Sequence, residues 1–206
     1  MPLLVTDGTT ARQQRTGVVF AEGKITSAVS YVDLDWRAAR TAGYGYFTLD
    51  LQNVEFESDQ LALWQLSAAS TPVTVGYYGG YYGYGEGDSD LDANTSHSMN
   101  GSSSNGGFFK LSADRNGAHS SRYLGNFTIY IIFSVDSTQT SNNTARCSTY
   151  WKGTARLSGT LASSASGGGV CTGGADYGLR FGCAGGSETM SLGSYCLTGF
   201  KEGGQF

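Results

Sequence analysis

The sequence has little proline and little charge. Only 2 of the 206 residues are proline, and charged residues make up 15 % of the chain, whereas about 25 % is usual in a soluble domain. The formal net charge is -4, which opposes attraction to phosphate groups. We therefore expect no nucleic-acid partner. A surface this low in charge is also typical of proteins that other subunits cover.

Long hydrophobic runs are absent as well. The longest strongly apolar run is residues 129–135, which is far shorter than the roughly 20 apolar residues of a membrane-spanning helix. The N-terminus lacks the basic segment, apolar core and small-residue cleavage site of a secretion signal. These absences predict a protein that does not insert into membranes and that folds in the cytoplasm of the cell where it is made.

Cysteine is scarce. The sequence has four cysteines, which are Cys147, Cys171, Cys183 and Cys196. None of them has Cys-x-x-Cys spacing or a histidine nearby, so we expect no zinc site. Four cysteines allow two disulfides in three connectivities. The lack of a secretion signal favours free thiols, and pairing stays an open alternative.

Catalytic patterns are also missing, and we predict that the protein is not an enzyme. Both histidines, His97 and His119, lie in Ser/Asn/Gly-rich stretches, without a His-Glu-x-x-His or Gly-x-Ser-x-Gly motif. A glycosidase would need two carboxylates about 5–10 Å apart. The candidates for such a pair are Asp33, Asp35, Glu55, Glu57 and Asp59. A solvated strand edge is the favoured interpretation of these acids, and we expect neither catalytic residues nor a cofactor.

One acidic cluster has a spacing that could suit a metal ion. Asp88, Asp90 and Asp92 alternate along the chain, and alternating aspartates can converge on Ca²⁺. An EF-hand loop is excluded, because its closing acidic position is occupied by Met99. The three aspartates are therefore weak metal candidates, and a solvated loop is the favoured interpretation.

Glycine and aromatic residues are what the sequence has in abundance. It contains 31 glycines, and aromatic residues make up 13 %, a composition typical of many short strands joined by tight turns. In residues 44–52, Phe47, Leu49 and Leu51 occupy alternate positions, and in residues 126–135 an unbroken alternating row runs from Phe127 to Phe133. Residues 37–40 form the only helix-like fragment.

These patterns predict an all-β protein of about nine or ten strands, built as a two-sheet antiparallel β-sandwich. Residues 1–22 are predicted to form an extended N-terminal arm, and residues 23–206 the sandwich domain. Arg12 and Arg15 in the arm are candidate anchoring residues for an acidic neighbouring subunit. Residues 175–201 are predicted to form a closing hairpin of two strands, and residues 162–169 a low-complexity turn.

Residues 76–107 change in character, and we predict a long loop or a pair of edge strands there. The segment carries a block of tyrosines between glycines, which are Tyr77, Tyr78, Tyr81, Tyr82 and Tyr84. Tyrosine combines a wide apolar ring with one hydroxyl group, so this block is the candidate surface for binding a partner or a sugar. The alternative is an ordinary strand pair with half of the rings in the core.

The order of these elements resembles the small jelly-roll structural proteins of tailed bacteriophages. The resemblance is carried by the strand pair "YGYFTLDLQNVEFESDQLALWQLS", the central strand "LGNFTIYIIFSVDST" and the closing segment "ADYGLRFGCAGG…LGSYCLTGF". It covers roughly residues 24–201. Two positions depart from the family pattern: Asn126 stands where glycine is common, and Thr198 stands where tyrosine is usual.

The resemblance implies a jelly-roll sandwich that serves as a virion component, such as a capsid decoration, neck or tail protein. Its partners would be other virion proteins, either capsid or tail subunits, and it would form a homo-oligomer, with a trimer favoured. It would be located in the virion after folding in the host cytoplasm. The alternative is a receptor- or carbohydrate-binding module of a tail or head fibre, which would bind a host surface glycan through the Tyr/Gly-rich segment. A hydrolase is the least supported hypothesis.

Overall fold

The computed structural model describes residues 4–6, 11–13, 17–57, 61–74, 77–86, 95–100, 107–112, 123–133, 147–157, 162–171, 177–184 and 187–201. The strands in these ranges are β1 (Leu4–Thr6), β2 (Ala11–Gln13), β3 (Val18–Ile25), β4 (Tyr31–Asp35), β5 (Tyr44–Phe56), β6 (Leu61–Ala68), β7 (Thr71–Pro72), β8 (Tyr77–Glu86), β9 (Thr95–Asn100), β10 (Phe109–Lys110), β11 (Tyr123–Phe133), β12 (Cys147–Leu157), β13 (Ala162–Cys171), β14 (Gly178–Cys183) and β15 (Met190–Lys201). The one helix of the described residues, α1, is the single turn Arg37–Thr41. The predicted all-β class is confirmed.

Two antiparallel sheets pack against each other. The large sheet has the strand order β3-β15-β5-β11-β12-β13-β8-β9, and the small sheet has the order β10-β6-β14-β4, with β7 paired to β6. Eight of these strands follow one another along the chain as β3, β4, β5, β6, β10, β11, β14 and β15. The chain changes sheet at each step of this series except from β6 to β10, which are neighbours in the small sheet. Eight strands connected in this way, as two Greek keys, form a jelly roll. The predicted jelly-roll sandwich is therefore confirmed.

Four further strands widen the large sheet beyond β11. Of these, β13 pairs with β12 on one side and with β8 on the other, so the prediction of a turn at residues 162–169 is wrong. Glycine is used there for packing: a Cβ atom at Gly167 would lie 2.2 Å from Trp151 Cζ2, and one at Gly169 would lie 2.8 Å from Phe109 Cε1. Glycine occurs in a strand interior where another group approaches this closely.

The core lies between the sheets, and the alternation of the sequence places it correctly. Phe47, Leu49 and Leu51 of β5 are all at most 1 % exposed, as predicted. The predicted inner row of β11, from Phe127 to Phe133, is also buried. Trp36 joins these two strands, because its ring stacks on Phe47 at 5.6 Å and meets Phe133 edge-on at 5.0 Å.

The predicted closing hairpin is wrong, because β14 and β15 lie in different sheets. β14 pairs with β4 and β6, whereas β15 pairs with β3 and β5. At the start of β15, the backbone of Met190 exchanges two hydrogen bonds, of 2.7 and 2.9 Å, with Val29. Val29 lies in the segment that leads from β3 in the large sheet to β4 in the small sheet. Each strand thus pairs with segments that are distant in sequence, and this is what closes the jelly roll.

The N-terminal part is divided between the sandwich and a separate strand pair. β3 begins at Val18, so residues 18–22 of the predicted arm belong to the large sheet. β1 and β2 pair with each other, and among the described strands they pair with neither sheet. The part of the arm outside the sandwich therefore ends before Val18.

Candidate functional site

The large sheet has an outer face, which is the side turned away from the small sheet. Because the pairing register continues from strand to strand, its outward residues form rows that cross the sheet. The apolar row consists of Phe200, Tyr46, Ile132, Ser148, Val170 and Tyr78. Ile132 is 50 % exposed, and the rings of Tyr46 and Phe200 are in contact at 5.2 Å. This end of the face offers apolar surface to a partner.

The tyrosine row is next along the strands. It consists of Thr198, Thr48, Tyr130, Tyr150, Gly168 and Gly80. The rings of Tyr130 and Tyr150 are stacked at 6.0 Å with an interplanar angle of 27°. Tyr150 is 51 % exposed, so its ring is accessible from solvent.

Beyond the tyrosine row the outer face becomes polar and contains two open grooves. The first has a volume of about 500 Å³, and its polar lining is Asp50, Gln52, Asn126, Thr128, Lys152 and Thr154. The second, of about 460 Å³, shares Asp50 and Gln52 and continues to Glu22 and Lys24 on β3.

The groove side chains are held by hydrogen bonds within the sheet. The Thr128 hydroxyl donates to Asp50 Oδ1 at 2.9 Å, which orients the carboxylate. The backbone N–H of Asn53 donates to Asn126 Oδ1 at 2.9 Å, beside the bulge between Gly125 and Phe127. Asn53 has a φ of 51°, so Asn126 supports a residue in the left-handed conformation at the groove edge.

The first two tyrosines of the predicted binding surface point to opposite faces of the large sheet. Tyr77 is only 3 % exposed; its hydroxyl accepts a hydrogen bond from the N–H of Gln65 at 2.8 Å and donates to the carbonyl of Val73 at 3.1 Å. The prediction that Tyr77 lines an exposed surface is therefore wrong, and burial raises the pKa of its hydroxyl far above the ordinary value. Tyr78 is 49 % exposed on the outer face.

For the other three tyrosines of the block, the structure describes only the backbone. Tyr81, Tyr82 and Tyr84 belong to β8 and pair with Gly167, Ser166 and Ser164 of β13. Of the two predictions for residues 76–107, the pair of strands is the one observed, with β9 at the edge of the sheet.

Other predicted site residues lie elsewhere or outside the described residues. Arg12 is in β2, where only the backbone is described. Arg15 and the weak metal candidates Asp88, Asp90 and Asp92 lie outside the described residues. In the part of the chain that the structure describes, no three His, Cys, Asp or Glu side chains come together to hold a metal ion.

Asp33 and Asp35 of β4 each form an ion pair with an arginine of the same chain. Both carboxylate oxygens of Asp33 accept hydrogen bonds from Arg180, at 2.7 and 2.9 Å. Asp35 pairs with Arg37 at 2.6 Å, and the hydrogen bond from that guanidinium lowers the pKa of Asp35. Each acid is therefore paired with its own arginine, which suits a structural role.

Sequence analysis missed Tyr130 and Tyr150 as a pair. The alternation within each strand was a sufficient signal to place both side chains outward. Their adjacency depends on the pairing of β11 with β12, in which Tyr130 stands opposite Tyr150. The intervening chain from residue 134 to residue 146 gives no local signal for that register.

None of the four cysteines, all of which the structure describes, is in a disulfide. Cys147 and Cys171 stand opposite each other in neighbouring strands, and both are fully buried. Burial raises the pKa of the Cys147 thiol to about 12. Because the thiolate is the reactive form, Cys147 is inert at neutral pH while the protein is folded.

A thiol-reagent titration at pH 8 checks this assignment. We expect only Cys196, which is partly exposed, to react in the native protein, and all four thiols to react after unfolding in guanidinium chloride without reductant. The Cys196→Ser variant provides the control and is expected to show no fast-reacting thiol. Two reactive thiols after unfolding would instead identify a disulfide, with Cys147 and Cys171 as the pair.

No protein-family model, curated protein or solved structure matches the chain. Among the described helices, none has the length and apolar character to cross a membrane. The function is therefore inferred from the fold, the outer face and the sequence resemblance.

Proposed function

We propose that the protein is a structural component of a tailed-phage virion, as a capsid decoration, neck or tail protein. It attaches through its N-terminal arm and presents a β-sandwich to its surroundings. The jelly-roll topology carries this proposal, because the same fold recurs in viral capsid proteins. A fold of this kind hosts many functions, so the proposal also depends on surfaces for attachment.

The N-terminal strand pair supports attachment to a neighbouring subunit. β1 and β2 form their own two-stranded sheet, and in the described structure they add to neither sheet of the sandwich. A hairpin of two strands is marginally stable alone in water. Packing against a neighbouring virion protein would supply the contacts that such a hairpin needs.

The apolar row of the outer face supports association between copies of the chain. Ile132 is 50 % exposed, and Tyr78 at the β8 end of the row is 49 % exposed. Exposed apolar surface of this extent favours contact with other subunits. A homo-oligomer, with a trimer favoured by the phage resemblance, would cover it.

A second candidate function is binding of a host surface glycan. The observation that favours it is the outer face, where half-exposed Tyr78 and Tyr150 lie on the same side of the sheet as two polar grooves. Rigid aromatic rings beside hydrogen-bonding groups are typical of recognition surfaces. In this function the protein would contribute to adsorption of the virion.

The attachment role is tested by counting copies in purified particles with quantitative mass spectrometry. Three forms are compared: the full chain, residues 17–206, and the Arg12→Ala/Arg15→Ala variant. The truncation removes no strand of either sheet, because β3 begins at Val18. We expect at least about a tenfold loss of incorporated copies for the truncation, the effect of losing roughly 1.4 kcal/mol of binding, and a smaller loss for the double variant.

The controls separate attachment from folding and from general charge. Circular dichroism and the unfolding midpoint of residues 17–206 should match those of the full chain. Lys24→Ala/Lys201→Ala removes two positive charges elsewhere and should leave the copy number unchanged. Normal incorporation of the truncated chain would overturn the anchoring role. Particles that assemble without the protein but no longer adsorb to cells would favour the glycan-binding candidate.

A further inference from the structure

We propose that the outer face of the large sheet binds a neutral oligosaccharide, with one pyranose ring resting against Tyr150 above Gly168. The polar row beside them supplies hydrogen bonds to the sugar hydroxyls. This inference rests on the second candidate function, glycan recognition, and moves its site from the Tyr/Gly-rich strand to β11, β12 and β13. It does not depend on assembly into a virion.

Gly168 is the observation that points to a ligand. It is the middle member of three consecutive glycines in β13. A Cβ atom at Gly167 would lie 2.2 Å from Trp151 Cζ2, and one at Gly169 would lie 2.4 Å from the carbonyl oxygen of Tyr78. Packing thus explains why both of these positions are glycine.

The packing around Gly168 is different. The nearest atoms to a Cβ at this position would be the backbone carbonyl oxygen of Thr149, at 3.5 Å, and Tyr150 Cδ2, at 3.6 Å. Both distances are ordinary van der Waals contacts. Neither packing nor a left-handed backbone requires glycine there. A bare backbone in a strand is typical of a place where another molecule approaches closely, and Gly80 of β8, its register partner, extends this bare position.

Tyr150 provides an apolar platform beside the bare backbone of Gly168. Its ring is stacked against Tyr130 at 6.0 Å, which holds it in place, and it borders Gly168 on the other side. A pyranose ring has a face of C–H groups, which packs against an aromatic face. Because the ring is already held by its neighbour, little side-chain freedom is lost on binding.

The adjacent row supplies polar groups suited to hydroxyls. Thr128 stands opposite Lys152 on one side and Asp50 on the other, and all three line the first groove. This row offers a hydroxyl, an ammonium and a carboxylate, so it both donates and accepts hydrogen bonds. One positive and one negative side chain leave little net charge, which favours a neutral sugar over a polyanion.

A second copy of the chain is the competing occupant of the outer face, but its chemistry fits another part of that face. Subunit contact suits the apolar row around Tyr46 and Ile132 and does not account for a glycine at position 168. The groove beside Tyr150 is lined by polar side chains, so it suits a ligand with many hydroxyl groups better than an apolar protein contact.

The test is isothermal titration of the purified full chain with tetrasaccharides derived from chitin, cellulose and starch, and with an anionic tetrasaccharide derived from heparin. We expect at least one neutral tetrasaccharide to bind more tightly than the anionic one. For that probe, Tyr150→Ala and Gly168→Leu should each raise Kd by about tenfold or more, since the first removes the platform and the second covers it. Circular dichroism and thermal unfolding confirm that the variants are folded.

The control variants are matched in residue type and exposure. Tyr31→Ala removes a tyrosine that is 47 % exposed on the small sheet and should change Kd by less than about twofold. Tyr78→Ala removes the other half-exposed tyrosine of the outer face, and it should raise Kd by less than Tyr150→Ala does. A loss of binding in Tyr78→Ala but not in Tyr150→Ala would overturn the proposed location in favour of the Tyr/Gly-rich strand.

Two other results would also overturn the proposal. The first is that no neutral tetrasaccharide binds at millimolar concentration. The second is that Gly168→Leu lowers the oligomer mass measured by light scattering, which would assign the face to subunit contact. Neither result bears on incorporation into particles, which is counted separately through the N-terminal arm, so failure here is distinguishable from failure of the virion role.

Discussion

Replacing Trp36 with alanine is expected to lower the free energy of unfolding by about 3–5 kcal/mol. The side chain is 1 % exposed, and its ring contacts Phe47 and Phe133 on two neighbouring strands of the large sheet. Its removal deletes aromatic contacts from both strands and leaves a cavity between the sheets. For a domain whose total stability is about 5–15 kcal/mol, this is a large fraction.

Denaturant titration monitored by far-ultraviolet circular dichroism measures the effect of Trp36→Ala. Leu192→Ala is the control, because this apolar side chain is 52 % exposed and should change stability by less than about 0.5 kcal/mol. Trp36→Phe should cost less than Trp36→Ala, since it keeps an aromatic ring and removes an indole N–H that has no acceptor among the described residues. If Trp36→Ala and Leu192→Ala are equally stable, Trp36 does not join β5 to β11 as described.

Two neighbouring glycines are expected to respond in opposite ways to alanine. Gly167→Ala places a methyl group 2.2 Å from Trp151 Cζ2, and Trp151 is completely buried, so the ring has little room to move. We expect a loss of about 1–3 kcal/mol or more from overpacking. Gly168→Ala meets only ordinary contacts and should be neutral or stabilising by a few tenths of a kcal/mol, about what reduced freedom of the unfolded chain provides.

A double-mutant cycle with Trp151→Leu identifies the cause. If the clash with the indole ring is responsible, Gly167→Ala should cost much less in the Trp151→Leu background, with a coupling energy of about 1 kcal/mol or more. Gly168→Ala should cost the same in both backgrounds. Equal costs for the two glycines would contradict the assignment of Gly167 to the inner face and Gly168 to the outer face.

The candidate site shows how far sequence reasoning extends. Alternation identified the inner rows of β5 and β11, because side chains in any strand point to opposite faces with a period of two. The same rule turns Tyr130 outward. It does not bring Tyr130 to Tyr150. The exposed role of Tyr77 was predicted from the Tyr/Gly-rich composition of its segment, and the structure buries this side chain beside Gln65. Burial of Tyr77 depends on Phe109 of the small sheet, whose ring meets it edge-on at 4.9 Å.

The sequence by itself determined that this chain is all β, that its apolar residues form the inner faces of long strands, and that one short helical turn interrupts them. These are local properties, since they follow from neighbouring side chains and the pleat of a single strand. Only the tertiary structure decided that β14 and β15 lie in different sheets, that residues 162–169 form an interior strand, and that Tyr150 borders Gly168. Backbone hydrogen bonds are the same for every strand pair, so pairing is chosen by long-range packing, such as the fit of Trp151 over Gly167.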